Sequence, residues 1–158
     1  MFEYAFVIER EEIMMKLRML AVALAALVLS ATGALAADPH KLAIHVDQND
    51  PAVMNLALNN AANVKAYYAG KGEAVEIEIV AYGPGLNMYV AGSPVKDRIS
   101  AMALENPEMQ FSACGNTLAA MTKKAGRDIA LVSEARVVPS GVVRLMELQQ
   151  DGYAYVRP

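Results

Sequence analysis

From residue 41 to the end of the chain, short runs rich in apolar and β-branched residues alternate with segments opened by a capping side chain or proline and closed by glycine. That alternation limits the possible folds more than any other feature. Residues 41–46 form a short apolar run that suits a buried strand. Asp50-Pro51 then supplies an N-cap carboxylate and a proline at the first helical position. The helix it opens is expected to reach about Tyr68 and to end at Gly70 or Gly72. In 74–81, Glu76 and Glu78 alternate with Val75, Ile77 and Ile79, as in a strand that is half exposed early and buried late. Gly83-Pro84-Gly85 breaks this strand, and 86–91 suits a short helical piece. Ser93-Pro94 repeats the cap-plus-proline signal for a helix to about Leu104, stopped by Asn106-Pro107. A third strand is expected at 109–113 and a helix at 116–125, closed by Gly126. Arg136-Val137-Val138 suits a fourth strand, 142–150 a last helix and 154–156 a terminal strand.

Repeated strand–helix units imply an α/β domain with a parallel sheet covered by helices on both faces. In such sheets ligands bind outside the carboxyl ends of the strands. Those ends fall at 45–49, 82–85, 114–116 and 139–141.

The amino-terminal part reads differently. Lys16 and Arg18 precede the unbroken apolar run 19–29, then a small polar stretch and Ala34-Leu35-Ala36. This is the three-part pattern of a cleavable secretory signal, with cleavage expected after Ala36 and a periplasmic destination. A membrane anchor is the alternative, but the run is short against the roughly 20 apolar residues a spanning helix needs. The residues before Met14 include acidic side chains where a signal is positive, which fits a start at Met14, Met15 or Met19. Roughly 120 residues remain as one domain, enough to bury a core. With 14 basic and 17 acidic residues the net charge is −3, a balance that points to neither nucleic acid nor an anionic membrane surface.

The only cysteine, Cys114, lies in Phe-Ser-Ala-Cys-Gly-Asn-Thr-Leu (111–118), where a strand ends and a helix begins. The first amides of a helix lack intrahelical partners and their dipoles favour an anion. A thiolate held there by the amides of Gly115, Asn116 and Thr117 has a lowered pKa and is nucleophilic at neutral pH. The bland alternative is a small buried hydrophobe. An exposed lone thiol would be oxidised outside the cytoplasm, so a functional Cys114 should be recessed.

His45, at the first strand end, is a weaker candidate: it either relays a proton to Cys114 or bonds a backbone group. Asn59, Gly83, Pro84, Gly85, Ser140 and Gly141 are candidate pocket-lining residues, with Gly83-Pro84-Gly85 equally a plain tight turn. Asn55, Asn59 and Asn63 share one helical face, where interhelical or intersubunit hydrogen bonds are the favoured role. Ser140 is an N-cap candidate with no base in reach to make it a nucleophile. Two histidines and one cysteine without ligand spacing do not form a metal site, and no cofactor motif is present.

Several segments together resemble the DsrE/DsrF-like family, particularly its small exported members. They are Ile44-His45-Val46 with Asp50-Pro51, Ala57-Leu58-Asn59-Asn60 with Asn63, and Tyr82-Gly83-Pro84-Gly85. The most specific are 111–118 and Val138-Pro139-Ser140-Gly141 with Gln149-Gln150-Asp151-Gly152-Tyr153-Ala154-Tyr155. The resemblance spans 41–157. It implies a three-layer α/β/α sandwich with a mainly parallel five-stranded sheet, commonly assembled as trimers or hexamers. It also implies that a cysteine at the position of Cys114 accepts sulfane sulfur as a persulfide and passes it to an acceptor, which makes the chain a sulfurtransferase-like carrier with a sulfur donor or acceptor as partner. The competing function is a non-catalytic oligomeric binding module in which Cys114 is structural. A thiol-redox role is weak without a second cysteine.

Overall fold

The computed structural model describes residues 14–19 and 38–158. Residues 14–19 are helical. The rest of the expected export signal, its cleavage point included, lies outside the described residues. No helix among the described residues is long and apolar enough to cross a membrane. Ala37–Pro158 forms a compact unit of its own.

Five strands make one sheet: β1 (His40–Val46), β2 (Val75–Ala81), β3 (Gln110–Cys114), β4 (Ala135–Val138) and β5 (Ala154–Val156). Their order is β4-β3-β2-β1-β5, and every pairing is parallel. Four helices connect them: α1 (Pro51–Ala69), α2 (Lys96–Glu105), α3 (Gly115–Ala125) and α4 (Gly141–Gln150). A 3-10 segment, Gly83–Tyr89, follows β2. The α/β class and the five strands match the sequence expectation.

Strand order decides which face each helix covers. The steps from β1 to β2, β3 and β4 all move in one direction across the sheet. Right-handed crossovers therefore put α1, α2 and α3 on one face. The step from β4 to β5 runs back across the whole sheet, so the same rule sends α4 to the other face. The packing agrees. Ile44, Val46, Ile77, Ile79, Phe111 and Ala113 face Met54, Leu58, Ile99 and Met102 in one large core. The alternate positions, Ala43 and Val80, meet Leu145 and Leu148 of α4 in a much smaller one.

The α4 face is consequently rich in polar side chains. His45, Glu78 and Ser112 are buried there with Cys114. Glu78, expected in the half-exposed part of its strand, is only 1% exposed. Its carboxylate accepts hydrogen bonds from Arg144 Nε and Nη2, both at 2.8 Å, from Arg136 Nη2 at 3.1 Å and from Ser112 Oγ at 2.6 Å. Burial pushes its pKa up, but the Arg144 and Ser112 hydrogen bonds and the two arginine charges outweigh burial, and the net shift is downward.

Local signals explain most element ends. Asp50 Oδ1 accepts from the Ala52 amide at 2.7 Å, with Pro51 at the first helical position. The start of α2 departs from expectation. Ser93 does not cap α2; its Oγ accepts from the Val95 amide in a local turn, and Val95 is the N-cap. At α4, Ser140 is the N-cap residue but its side chain makes no capping hydrogen bond. Gly85 is needed for close approach, since a Cβ there would lie 2.2 Å from the Val46 carbonyl oxygen.

Candidate active site

The carboxyl ends of all five strands lie on one edge of the parallel sheet. At that edge the connections after β3 and β4 part: α3 goes to one face and α4 to the other. A crevice between diverging connections is where open α/β sheets bind ligands. Cys114 ends β3 at this point and is the N-cap of α3.

Cys114 is 4% exposed and therefore recessed, as expected of a functional thiol here. Burial pushes its pKa up. Interactions with the Thr117 hydroxyl and with the backbone amides of Gly141, Thr117 and Asn116 outweigh burial, so the net shift is downward. The Asn116 amide also donates to the Pro139 carbonyl at 3.3 Å, so it is shared between two acceptors. Thr117 is oriented: its Oγ1 accepts from the Gly83 amide at 2.9 Å, which leaves its hydrogen free to point at the sulfur. The thiolate thus draws on the first turns of two helices, α3 and α4, and on the loop after β2.

Two of the expected roles change hands. Gly141, expected to line a pocket, places its amide at the sulfur beside those of Asn116 and Thr117. A side chain there would meet Tyr82 Cβ at 2.9 Å and Cys114 Cβ at 3.2 Å, so glycine permits the approach. Gly115, expected as an amide donor, instead packs closely against the end of β4, where a Cβ would be 3.0 Å from the Val138 carbonyl oxygen.

The other candidates divide. Gly83 and Pro84 line an open groove of about 770 Å³ together with Asn116 and Thr117. Ser140 lines a separate cavity of about 300 Å³ with Arg136, Arg144 and Glu147. Gly85 is buried against the end of β1 and structural. Asn59 stands apart from the thiol: its Oδ1 accepts from Arg98 Nη2 of α2 at 2.6 Å, while Asn55 Oδ1 accepts from Arg98 Nη1 at 2.9 Å. The asparagine face of α1 thus makes the interhelical bonds expected of it.

His45 does not bond Cys114. Its Nδ1 is 2.7 Å from the Tyr155 hydroxyl, not at a backbone group, and its ring stacks on Tyr82 with centroids 4.4 Å apart. Nε2 is buried without a partner. Burial holds the imidazole below its usual pKa range, opposed by Asp47 and reinforced by Arg157. Sequence reading missed Tyr82, which links this histidine to Gly141, although Tyr82 shares strand parity with Glu78 and Val80. Among the described residues there is no group of three or more His, Cys, Asp or Glu side chains able to hold a metal.

Comparison with known proteins agrees with this architecture. The model of the DsrE/DsrF-like family matches residues 40–158. The solved structure of MTH1491, a protein of unknown function from Methanobacterium thermoautotrophicum, superposes with a TM-score of 0.64. It shares 33% sequence identity, over 75% of this chain and 99% of that one. No curated protein matches the chain significantly.

Proposed function

Since the chain belongs to the DsrE/DsrF-like family, we propose that it is a sulfur-handling protein in which Cys114 accepts sulfane sulfur as a persulfide and passes it on. The family is associated with sulfur relay. One observation carries the reading to this residue: a recessed thiol whose anion is met by the Thr117 hydroxyl and three amides drawn from two helix starts. The same donors that favour Cys114–S⁻ over the thiol also favour the terminal anion of Cys114–S–S⁻. The signal-like sequence before Ala37 supports a periplasmic setting, and the family's habit of assembly supports a homo-oligomer. Shelter from solvent suits such a setting, because it limits overoxidation of the sulfur.

The test is intact mass after incubation with polysulfide, or with thiosulfate plus a thiol. A one-sulfur adduct on the wild type, removed by dithiothreitol and absent from Cys114→Ser, is expected. No adduct, or the same adduct on both proteins, overturns the proposal.

A further inference from the structure

We propose that the groove along α3 is the entry site for a small organic persulfide bearing a carboxylate, which delivers its outer sulfur to Cys114; this rests on the sulfur-acceptor reading above. The groove reaches the residues that surround the thiol: Asn116 and Thr117 line it and also interact with the Cys114 sulfur. Gly83, Asn116 and Thr117 form its inner end, and Thr117 is the residue that contacts the sulfur from the other side. Beyond them Ala120, Met121 and Ile129 give apolar walls. A small, strongly hydrated inorganic anion gains nothing from such walls and loses water to them. A carbon skeleton gains from the same contact.

Charge sets the other end. Lys124 lines the groove, is exposed, and forms no ion pair among the described residues. Thr117 and Lys124 are seven residues apart on one helix, which puts them about 10 Å apart along its axis. A donor whose carboxylate lies about that far from its reacting sulfur spans from Lys124 to the Thr117 end of the groove, beside the thiol. A bulky apolar donor without charge leaves Lys124 unused, and a small dianion reaches only one end.

The transfer balances without a cofactor. Cys114–S⁻ attacks the outer sulfur of R–S–SH. The bond from the Cys114 sulfur to that outer sulfur forms as the donor's S–S bond breaks. The bonding pair leaves with R–S⁻, and the proton stays on the terminal sulfur of Cys114–S–SH. The donor is reduced from persulfide to thiolate as Cys114 is oxidised to persulfide.

The experiment uses the full chain and three donors: glutathione persulfide, its diethyl ester and inorganic polysulfide. Adduct formation is followed by mass. The acid should load about two- to fivefold faster than the ester, the range for an exposed ion pair. Lys124→Gln should bring that ratio to one, and Ala120→Trp, which fills the groove, should raise the ratio of polysulfide to glutathione persulfide loading. Equal loading of acid and ester by the wild type, or an unchanged ratio in either variant, overturns the proposal. Loading by a persulfidated cysteine peptide alone also overturns it, in favour of a protein donor. Binding of S-methylglutathione to Cys114→Ser, by calorimetry, separates the two readings. Binding that weakens in the added Lys124→Gln change supports the groove even where no donor loads. Its absence, with polysulfide still loading, refutes the groove and leaves the acceptor reading standing.

Discussion

Replacing Thr117 by valine removes one hydroxyl and keeps the shape of the side chain. In the folded protein that hydroxyl faces the Cys114 sulfur on one side and the Gly83 amide, at 2.9 Å, on the other. A hydrogen bond to a charged group contributes about 1.5–3 kcal/mol. Thr117 is partly exposed, so the lower end applies: about 1.5–2 kcal/mol, or a roughly ten- to thirtyfold smaller thiolate fraction at a pH below the thiol pKa. The Gly83 amide loses its acceptor at the same time, at about 1 kcal/mol of stability. The sign of the pH dependence follows. A thiol whose folded pKa lies below its unfolded value contributes stability that is full above the unfolded value, near about 8.5, and is lost as pH falls through the folded one. Thr117→Val should lose that alkaline increment. The assay is the rate of alkylation by iodoacetamide against pH, with denatured protein as the reference thiol. Wild type should have its midpoint below the reference, Thr117→Val above the wild type, and Thr117→Ser close to it. A Thr117→Val midpoint that coincides with wild type refutes the assignment of the hydroxyl. A Thr117→Ser shift as large as that of valine assigns the effect to packing.

Two further substitutions probe the scaffold. Glu78→Gln leaves Arg136 and Arg144 around a buried neutral amide, and should cost about 2–3 kcal/mol, below the usual range for a broken buried pair because both arginines reach solvent. The lowered Glu78 pKa means that its stabilisation is full above the unfolded value near about 4.3 and lost as pH falls through the folded one. Urea unfolding at neutral and acid pH should therefore show a smaller acid loss in Glu78→Gln than in wild type, and an equal loss would contradict the network. Gly141→Ala puts a methyl 2.9 Å from Tyr82 Cβ, so it should destabilise by about 1–3 kcal/mol and raise the Cys114 pKa as the amide is displaced. Unchanged melting and alkylation profiles would show that the amide contact is dispensable.

Much of the fold was readable one segment at a time. The cap at Asp50, the strand parity of β2 and the turn from β3 into α3 are local features, and local chemistry decides them. What was not readable depends on strand order. Nothing in the alternation of Glu76 and Glu78 with isoleucine says that the glutamate face lies under α4, or that Arg136 and Arg144 arrive from two other elements to neutralise Glu78. For the same reason Gly141 passed as a pocket residue: it is 27 positions from Cys114 in the chain, and only the pairing of β4 with β3, which sets Val138 beside Cys114, brings its amide to the sulfur. Ser93 misled for a different reason. Serine before proline suits a local turn as well as a helix cap, and the turn won.

The donors around Cys114 come from residues 116, 117 and 141, at the starts of two helices separated along the chain by the rest of α3 and by β4. An unfolded chain has none of them and carries an ordinary cysteine, mostly protonated at neutral pH. The lowering of the thiol pKa is therefore absent until β3, β4 and both helix starts are in place. A polypeptide still being made or refolded holds its sulfur mostly as the less reactive thiol, and the site comes into being with the sheet.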